Sequence, residues 1–193
     1  MLASERQTLL KKLAEFEDTI PHMYLDSEGH ITVGMGHLLN TVAAAQKLPF
    51  MDGKTKKKAT AEEIKVDFEA VAKQPKGKHA SLYKAHTKLI LTQSEIDALT
   101  ESHLDNFHGE LKRMYFAFDH LPKEVRLALL DMIFNLGMTR LMQYLKLNSA
   151  IKAKDWQKAA NESNRLQVQA PRNRYIKDLF EKAAKNASQN KKP

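Results

Sequence analysis

The apolar positions of residues 4–18 fall at helical spacing, with Leu9, Leu13 and Phe16 on one face and Leu10 beside them. Ser4 and Gln7 stand three apart ahead of that face, the spacing of a capping box, so the pattern predicts a helix over 4–18. Pro21 removes a backbone donor and stops any continuation. The period then changes to that of strands. Met23–Leu25 reads as a short strand and Asp26–Gly29 as a turn whose glycine can take positive φ, while His30–Val33 returns with β-branched residues. A hairpin is expected.

Further along, residues 41–50 predict a short helix ending before Pro49, and 51–59 a solvated loop with a basic run. Thr60 and Glu63 form another capping box ahead of Ile64, Phe68 and Val71, which predicts a helix over 61–73. After a loop at 75–78, Thr92 and Glu95 open a long helix through Lys112 that carries Ile96, Leu99, Leu104, Phe107 and Leu111. Met114, Tyr115, Phe116 and Phe118 read as a core cluster. Pro122 starts a helix, VRLALLDMIFNL, whose unbroken apolarity marks it as central, and Gly137 ends it. Residues 138–152 predict one or two short helices, Trp156 anchors another, and Pro171 begins the last, with Tyr175, Ile176, Leu179 and Phe180 as its apolar positions. Residues 186–193 read as a basic tail without a function.

At 193 residues with 42% hydrophobic content, the chain is one ordinary domain, with room for two lobes, and long enough to bury its own core. It has no cysteine, so disulfides and thiolate metal sites are excluded. The balance of 31 Lys+Arg against 23 Asp+Glu, net +8, implies an anionic partner. A nucleic-acid partner is not expected, because no zinc finger, RNA-recognition signature or helix-turn-helix accompanies the charge. No segment has the ~20 apolar residues of a membrane span. The N-terminus also lacks the apolar run and cleavage site of a secretory signal. Cytoplasmic synthesis is therefore expected, with another agent delivering the protein to any external substrate.

The candidate chemistry lies in residues 16–39, FEDTIPHMYLDSEGHITVGMGHLL. Glu17 ends the first helix, Asp26 sits where the first strand enters its turn, and Thr32 returns beside that strand. One carboxyl on the helix end and one on the hairpin make two walls of a cleft. Glycoside hydrolysis needs that pair, one carboxyl to protonate the leaving oxygen and one to activate water or attack the sugar, with a gap of about 6.5–9.5 Å when water must fit. Spacing alone also fits a bland reading, in which Asp26 merely serves the turn and Glu17 is solvated. Three histidines, His22, His30 and His37, share no helical i,i+4 face and no H-E-x-x-H occurs, so no metal site and no cofactor is expected.

The order E-x8-D-x5-T, with Y-x-D-x-x-G-x-x-T-x-G-x-G-H inside it, resembles the active-site segment of the phage T4-type lysozymes, glycoside hydrolase family 24. RLALLDMIFNLG (126–137), DWQKAA (155–160) and PRNRYIKDLF (171–180) resemble that family's later helices in the same order. The resemblance implies a mainly α, lysozyme-like α+β fold over 1–185. It places a β-hairpin lobe at about 19–60, a helical lobe from 1–18 and 91–185, and a cleft between them. It also implies about two dozen extra residues within an inserted segment over 41–90. Glu17, Asp26 and Thr32 fall at the family's acid, base and water-positioning hydroxyl. Leu38, Phe134, Ser149 and Asn161 match sugar-groove positions. His37 is expected to be structural, and Asn135, with Asp131, to support the cleft floor as a polar group on an apolar helix. The family's arginine partner for the acid falls best at Arg174, with Arg172 a near competitor. Two departures stand out: Asp18 replaces the glycine after the acid, and His103 stands where His37's acidic partner is expected.

The implied activity is that of a muramidase, cleaving the β-1,4 bond between N-acetylmuramic acid and N-acetylglucosamine in peptidoglycan with inversion. The expected partner is peptidoglycan, and the expected state is a monomer that does not insert into membranes. Delivery by a holin or a secretion system fits a phage endolysin or an antibacterial effector, and an effector would bring an immunity protein. A transglycosylase-like attack, a silent wall-binding module with the same fold, and a nucleic-acid binder are the competing readings.

Overall fold

The structure is a computed structural model and describes residues 3–189. It is mainly helical with a small antiparallel sheet, as expected, and the chain divides into two compact units. Among the described residues, one comprises residues 17–102, and the other residues 3–16 with 103–189. One boundary follows residue 16, where the first helix ends, and the other, between residues 102 and 103, falls inside a long helix.

In the first unit, β1 (Ile20–Leu25), β2 (Ile31–Gly34) and β3 (His37–Leu38) form an antiparallel sheet in that order. The hairpin lies where the alternation placed it, with Gly29 at φ 93° closing the turn; the third strand is an addition. Met23, Leu25, Ile31 and Val33 are buried, as the period of two requires for one covered face. Pro21 lies inside β1 at the sheet edge, within the stretch between Ile20 and Tyr24 where the register shifts.

The segment 41–90 completes this unit's core. It contains α2 (Val42–Ala45), β4 (Met51–Asp52), α3 (Ala61–Ala72), a 3-10 turn (Ala80–His86) and β5 (Leu89–Ile90), paired with β4. Ala45, Phe50, Ile64, Val71, Tyr83 and Leu89 join Met23, Leu25, Ile31 and Val33 in one cluster. The stretch read as a loop at 51–59 therefore carries half of a ribbon. The capping box at Thr60 and Glu63 is present, the Glu63 amide donating to Thr60 Oγ1 at 3.2 Å. Asp67, buried on α3, is satisfied by the amides of Lys88 (2.7 Å) and Leu89 (2.8 Å) and by the Thr87 hydroxyl.

The second unit is built from α1 (Ala3–Phe16), the later part of α4 (Gln93–Met114), α5 (Lys123–Met142), α6 (Leu145–Lys152), α7 (Trp156–Glu162) and α8 (Ala170–Gln189). Ser4 lies inside α1 instead of capping it. The Thr92–Glu95 box does open α4, with the Thr92 amide donating to the Glu95 carboxylate at 2.7 Å. α5 is central: Val125, Ala128, Leu129, Met132 and Ile133 are fully buried, and the helix packs on α1 and α8. Gly137, at φ 70°, ends the first helical run as expected, and a second helical run follows it to Met142. Tyr115 and Phe118 are buried, but Phe116 is fully exposed, a correction to the expected aromatic cluster. Residues 186–189 continue α8 as helix, while 190–193 of the expected tail lie outside the described residues. No helix of the described residues is long and apolar enough to cross a membrane.

Candidate active site

Glu17 is the first residue after α1 and is half-buried. Asp26 is the first residue after β1. Its Oδ1 accepts the amides of Glu28 (2.9 Å) and His30 (2.8 Å), an arrangement that an aspartate favours at a turn. Its Oδ2 stands 3.5 Å from His30 Nδ1. Thr32 lies on β2, 3% exposed, and its hydroxyl donates to the His30 carbonyl at 3.2 Å. The two residues are thus fastened to the N–H and the C=O of one residue.

Across the sheet, Thr32 pairs with Tyr24 on β1 and with Leu38 on β3, so these three side chains share one face. Leu38 is 40% exposed there. A pocket of about 220 Å³ opens beside it, lined by Leu25, Ile31, Leu38, Leu39, Phe68 and Ala72 together with Gly29, His30 and Asn40. Tyr24 has its hydroxyl pushed up to about 12, first by burial and then by the charges of Asp26, Glu17 and Asp18. The tyrosine therefore lies within electrostatic reach of both candidate carboxylates. The motif contains it, but its side chain had no predicted role; its cross-strand register with Thr32 is the signal that finds it. His37 pairs with Val33 at the far strand and is half-buried.

In the helical unit, Asn161 on α7 and Arg174 on α8 are exposed and line one pocket of about 750 Å³ with Asn164, Asn173 and Lys177. Asn135 lines another, of about 510 Å³, with Arg140 and Tyr144. Phe134 packs edge-on against Phe107 at 6.0 Å. Ser149 is exposed on α6 and lines neither pocket. His103 stacks with Phe107 at 6.1 Å, and burial lowers its pKa from 6.5.

Asp131, fully buried on α5, holds two arginines: Arg165 Nη1 at 3.0 Å and Arg172 Nε at 3.0 Å. Arg165 Nη1 also donates to Asn135 Oδ1 at 3.4 Å, giving that asparagine its polar partner. Arg172 lies over the ring of Phe16 at 5.7 Å. Of the two arginines in P-R-N-R, it is Arg172 that the fold buries, whereas Arg174 faces solvent. Arg165 went unforeseen, since it sits in a loop outside every periodic segment.

Among the described residues, no group of three His, Asp or Glu side chains is placed to hold a metal ion. A carboxylate and a hydroxyl anchored on one residue, with a second carboxylate within electrostatic reach of Tyr24, can hold and deprotonate a water and supply a proton. Compared with known proteins, the sequence matches the phage lysozyme family over residues 14–185. It is also 25% identical over 146 residues to a protein of Dictyostelium discoideum named probable T4-type lysozyme 1, covering 72% of each chain. With the matched span taking in the hairpin, α5 and α8, the chain belongs to the phage lysozyme family.

Proposed function

We propose that this protein is a peptidoglycan hydrolase that cleaves the β-1,4 bond between N-acetylmuramic acid and N-acetylglucosamine. Glu17 donates a proton to the leaving oxygen, Asp26 removes one from water, and Thr32 holds that water. The observation that carries the reading is the shared anchor at His30. Because Asp26 Oδ1 is occupied by two amides, Oδ2 is the oxygen that accepts the water proton. Because the Thr32 hydroxyl spends its hydrogen on the His30 carbonyl, it meets a water only as an acceptor. A water giving one hydrogen to each keeps its lone pair for the anomeric carbon, and direct attack by that water inverts the centre. Leu38, exposed beside Thr32, offers an apolar contact to a sugar ring.

The test is Glu17→Gln, which keeps size and hydrogen bonding and removes the transferable proton. Release of reducing ends from purified walls should fall by about 10²–10⁴-fold with the circular dichroism spectrum unchanged. Retention of most activity refutes Glu17 as the acid. An unmodified protein that binds walls without releasing reducing ends is instead a silent wall-binding module. The anomer of the first product separates direct water attack from a nucleophilic Asp26. Arrival at the wall through a holin or a secretion system, with an immunity protein in the second case, belongs to the same proposal.

A further inference from the structure

Asp26 Oδ1 is taken up by two turn amides, which leaves Oδ2 as the working oxygen of the proposed base. The imidazole of His30 faces that oxygen, with Nδ1 3.5 Å from Oδ2. The same Nδ1 stands 4.0 Å from Glu28 Oε2. The residue whose backbone fastens Asp26 and Thr32 therefore also turns its ring toward the oxygen that must meet water. The His30 side chain is 54% exposed, so solvent protons reach it.

The separation matters because the two charge states of the ring do different things to Oδ2. A charge-assisted bond from a protonated nitrogen to a carboxylate closes to about 2.7–2.9 Å, a movement of about 0.6–0.8 Å from the 3.5 Å observed. A neutral ring can carry its one proton on Nε2 instead, and it then offers Oδ2 no donor. Imidazole is the side chain whose charge ordinarily changes between about pH 5 and 8. Carboxyl and ammonium groups ordinarily change charge outside that interval, so the ring is the variable partner. The charged groups around it are Asp26 and Glu28 of its own turn and Lys76, whose stem lies over the turn: a Cβ on Gly29 would meet Lys76 Cδ at 3.2 Å. Across the pocket of about 220 Å³ that His30 lines, α3 contributes Phe68 and Ala72, and β3 with the residues after it contributes Leu38, Leu39 and Asn40, none of them charged.

We propose that the His30 side chain gates Asp26. As an imidazolium it donates its Nδ1–H to Oδ2 and occupies the lone pair that takes the water proton; as a neutral ring it leaves that oxygen to the water. The proposal rests on the reading of Asp26 as the base. One proton moves, between solvent and Nδ1, and no bond to carbon forms or breaks in the gating step. The consequence is a hydrolase that works at neutral pH and falls silent in mild acid, well above the pH at which a carboxylate base ordinarily fails.

The experiment is a pH profile of kcat/KM on purified peptidoglycan for the full chain and for His30→Gln, which keeps the backbone N–H and C=O that hold Asp26 and Thr32. The unmodified protein should lose activity on acidification within the imidazole range, about pH 5–8. The Gln variant should carry its acid limb lower by at least about half a pH unit, toward the carboxylate range near about pH 4. A smaller displacement overturns the gate. Glu28→Gln controls for charge on the turn: it should move the limb less than His30→Gln does, and an equal movement overturns the gate by making the limb a property of local charge. A second readout is independent of catalysis, the separation of Nδ1 and Oδ2 in crystals of the unmodified protein equilibrated at about pH 5 and about pH 8. Closure to about 2.7–2.9 Å at the lower pH supports the gate, and an unchanged separation overturns it. The two readouts also separate the gate from the reading beneath it. An inactive protein whose ring closes on Oδ2 refutes the hydrolysis and keeps the contact, whereas an active protein with an unmoved limb refutes the gate alone.

Discussion

Asp26 and Thr32 are tied to opposite ends of one residue: the carboxylate accepts the His30 amide at 2.8 Å, and the hydroxyl donates to the His30 carbonyl at 3.2 Å. A shift of the turn moves both groups together. Their relative position is therefore held by the backbone, without dependence on a mobile side chain.

Thr32→Val keeps the branched shape that suits a strand and removes the oxygen. Wall hydrolysis should fall by about a hundredfold, since the water loses its positioning partner while its base remains. Thermal unfolding should change little. Steady-state rates on purified peptidoglycan and a melting curve check both.

Asp26→Asn separates turn from chemistry, because the asparagine oxygen still accepts the amides of Glu28 and His30. Activity should drop by about 10²–10⁴-fold in a protein that melts normally. Asp26→Leu, which removes the acceptor as well, should also lower the melting temperature. A Leu variant as stable as the Asn variant would show that the turn does not need this carboxylate.

The pH dependence of stability has two arms. Tyr24 and Tyr175 are both pushed up to about 12, mainly by burial, so the unfolded chain loses these protons first. Their contribution is complete below pH 10 and is lost as the pH rises from about 10 towards 12. His22, buried with its Nε2 3.1 Å from the Ala80 carbonyl, is lowered from 6.5 by burial, and His103 likewise. Their contribution is present above pH 6.5 and is lost as the pH falls through their lower folded values. Urea titrations across pH should show both declines, and Tyr24→Phe should flatten part of the alkaline one.

Asp131→Ala leaves Arg165 and Arg172 buried without their shared counter-ion. The loss should be about 3–5 kcal/mol by chemical denaturation, the cost of breaking a buried ion pair from one side. Arg174→Ala, exposed on the same helix as Arg172, should cost less than about 0.5 kcal/mol.

Local rules made much of the molecule readable. The boxes at Thr60 and Thr92 were legible because each is a hydrogen bond between residues three apart. The β1–β2 hairpin followed from a turn and a change of period, and the order of Glu17, Asp26 and Thr32 carried the family resemblance. Where the partner is distant in sequence, spacing gives no answer. Arg172 and Arg174 are two residues apart on α8, about 200° around a helix, so they face nearly opposite ways, and only the packing of α8 on α5 decides which reaches Asp131. Phe116 is apolar and exposed while its neighbour Tyr115 is buried, a choice made by the direction in which the chain leaves α4.

The amino-acid sequence by itself determined the helices, the hairpin, the order of the candidate catalytic groups and the family, because each is written in spacing along the chain. Tertiary structure alone decided that segment 41–90 fills the hairpin unit's core and that Arg165 and Arg172 converge on Asp131. Those outcomes depend on which faces meet across tens of residues, and burial has no direction until the facing element is in place.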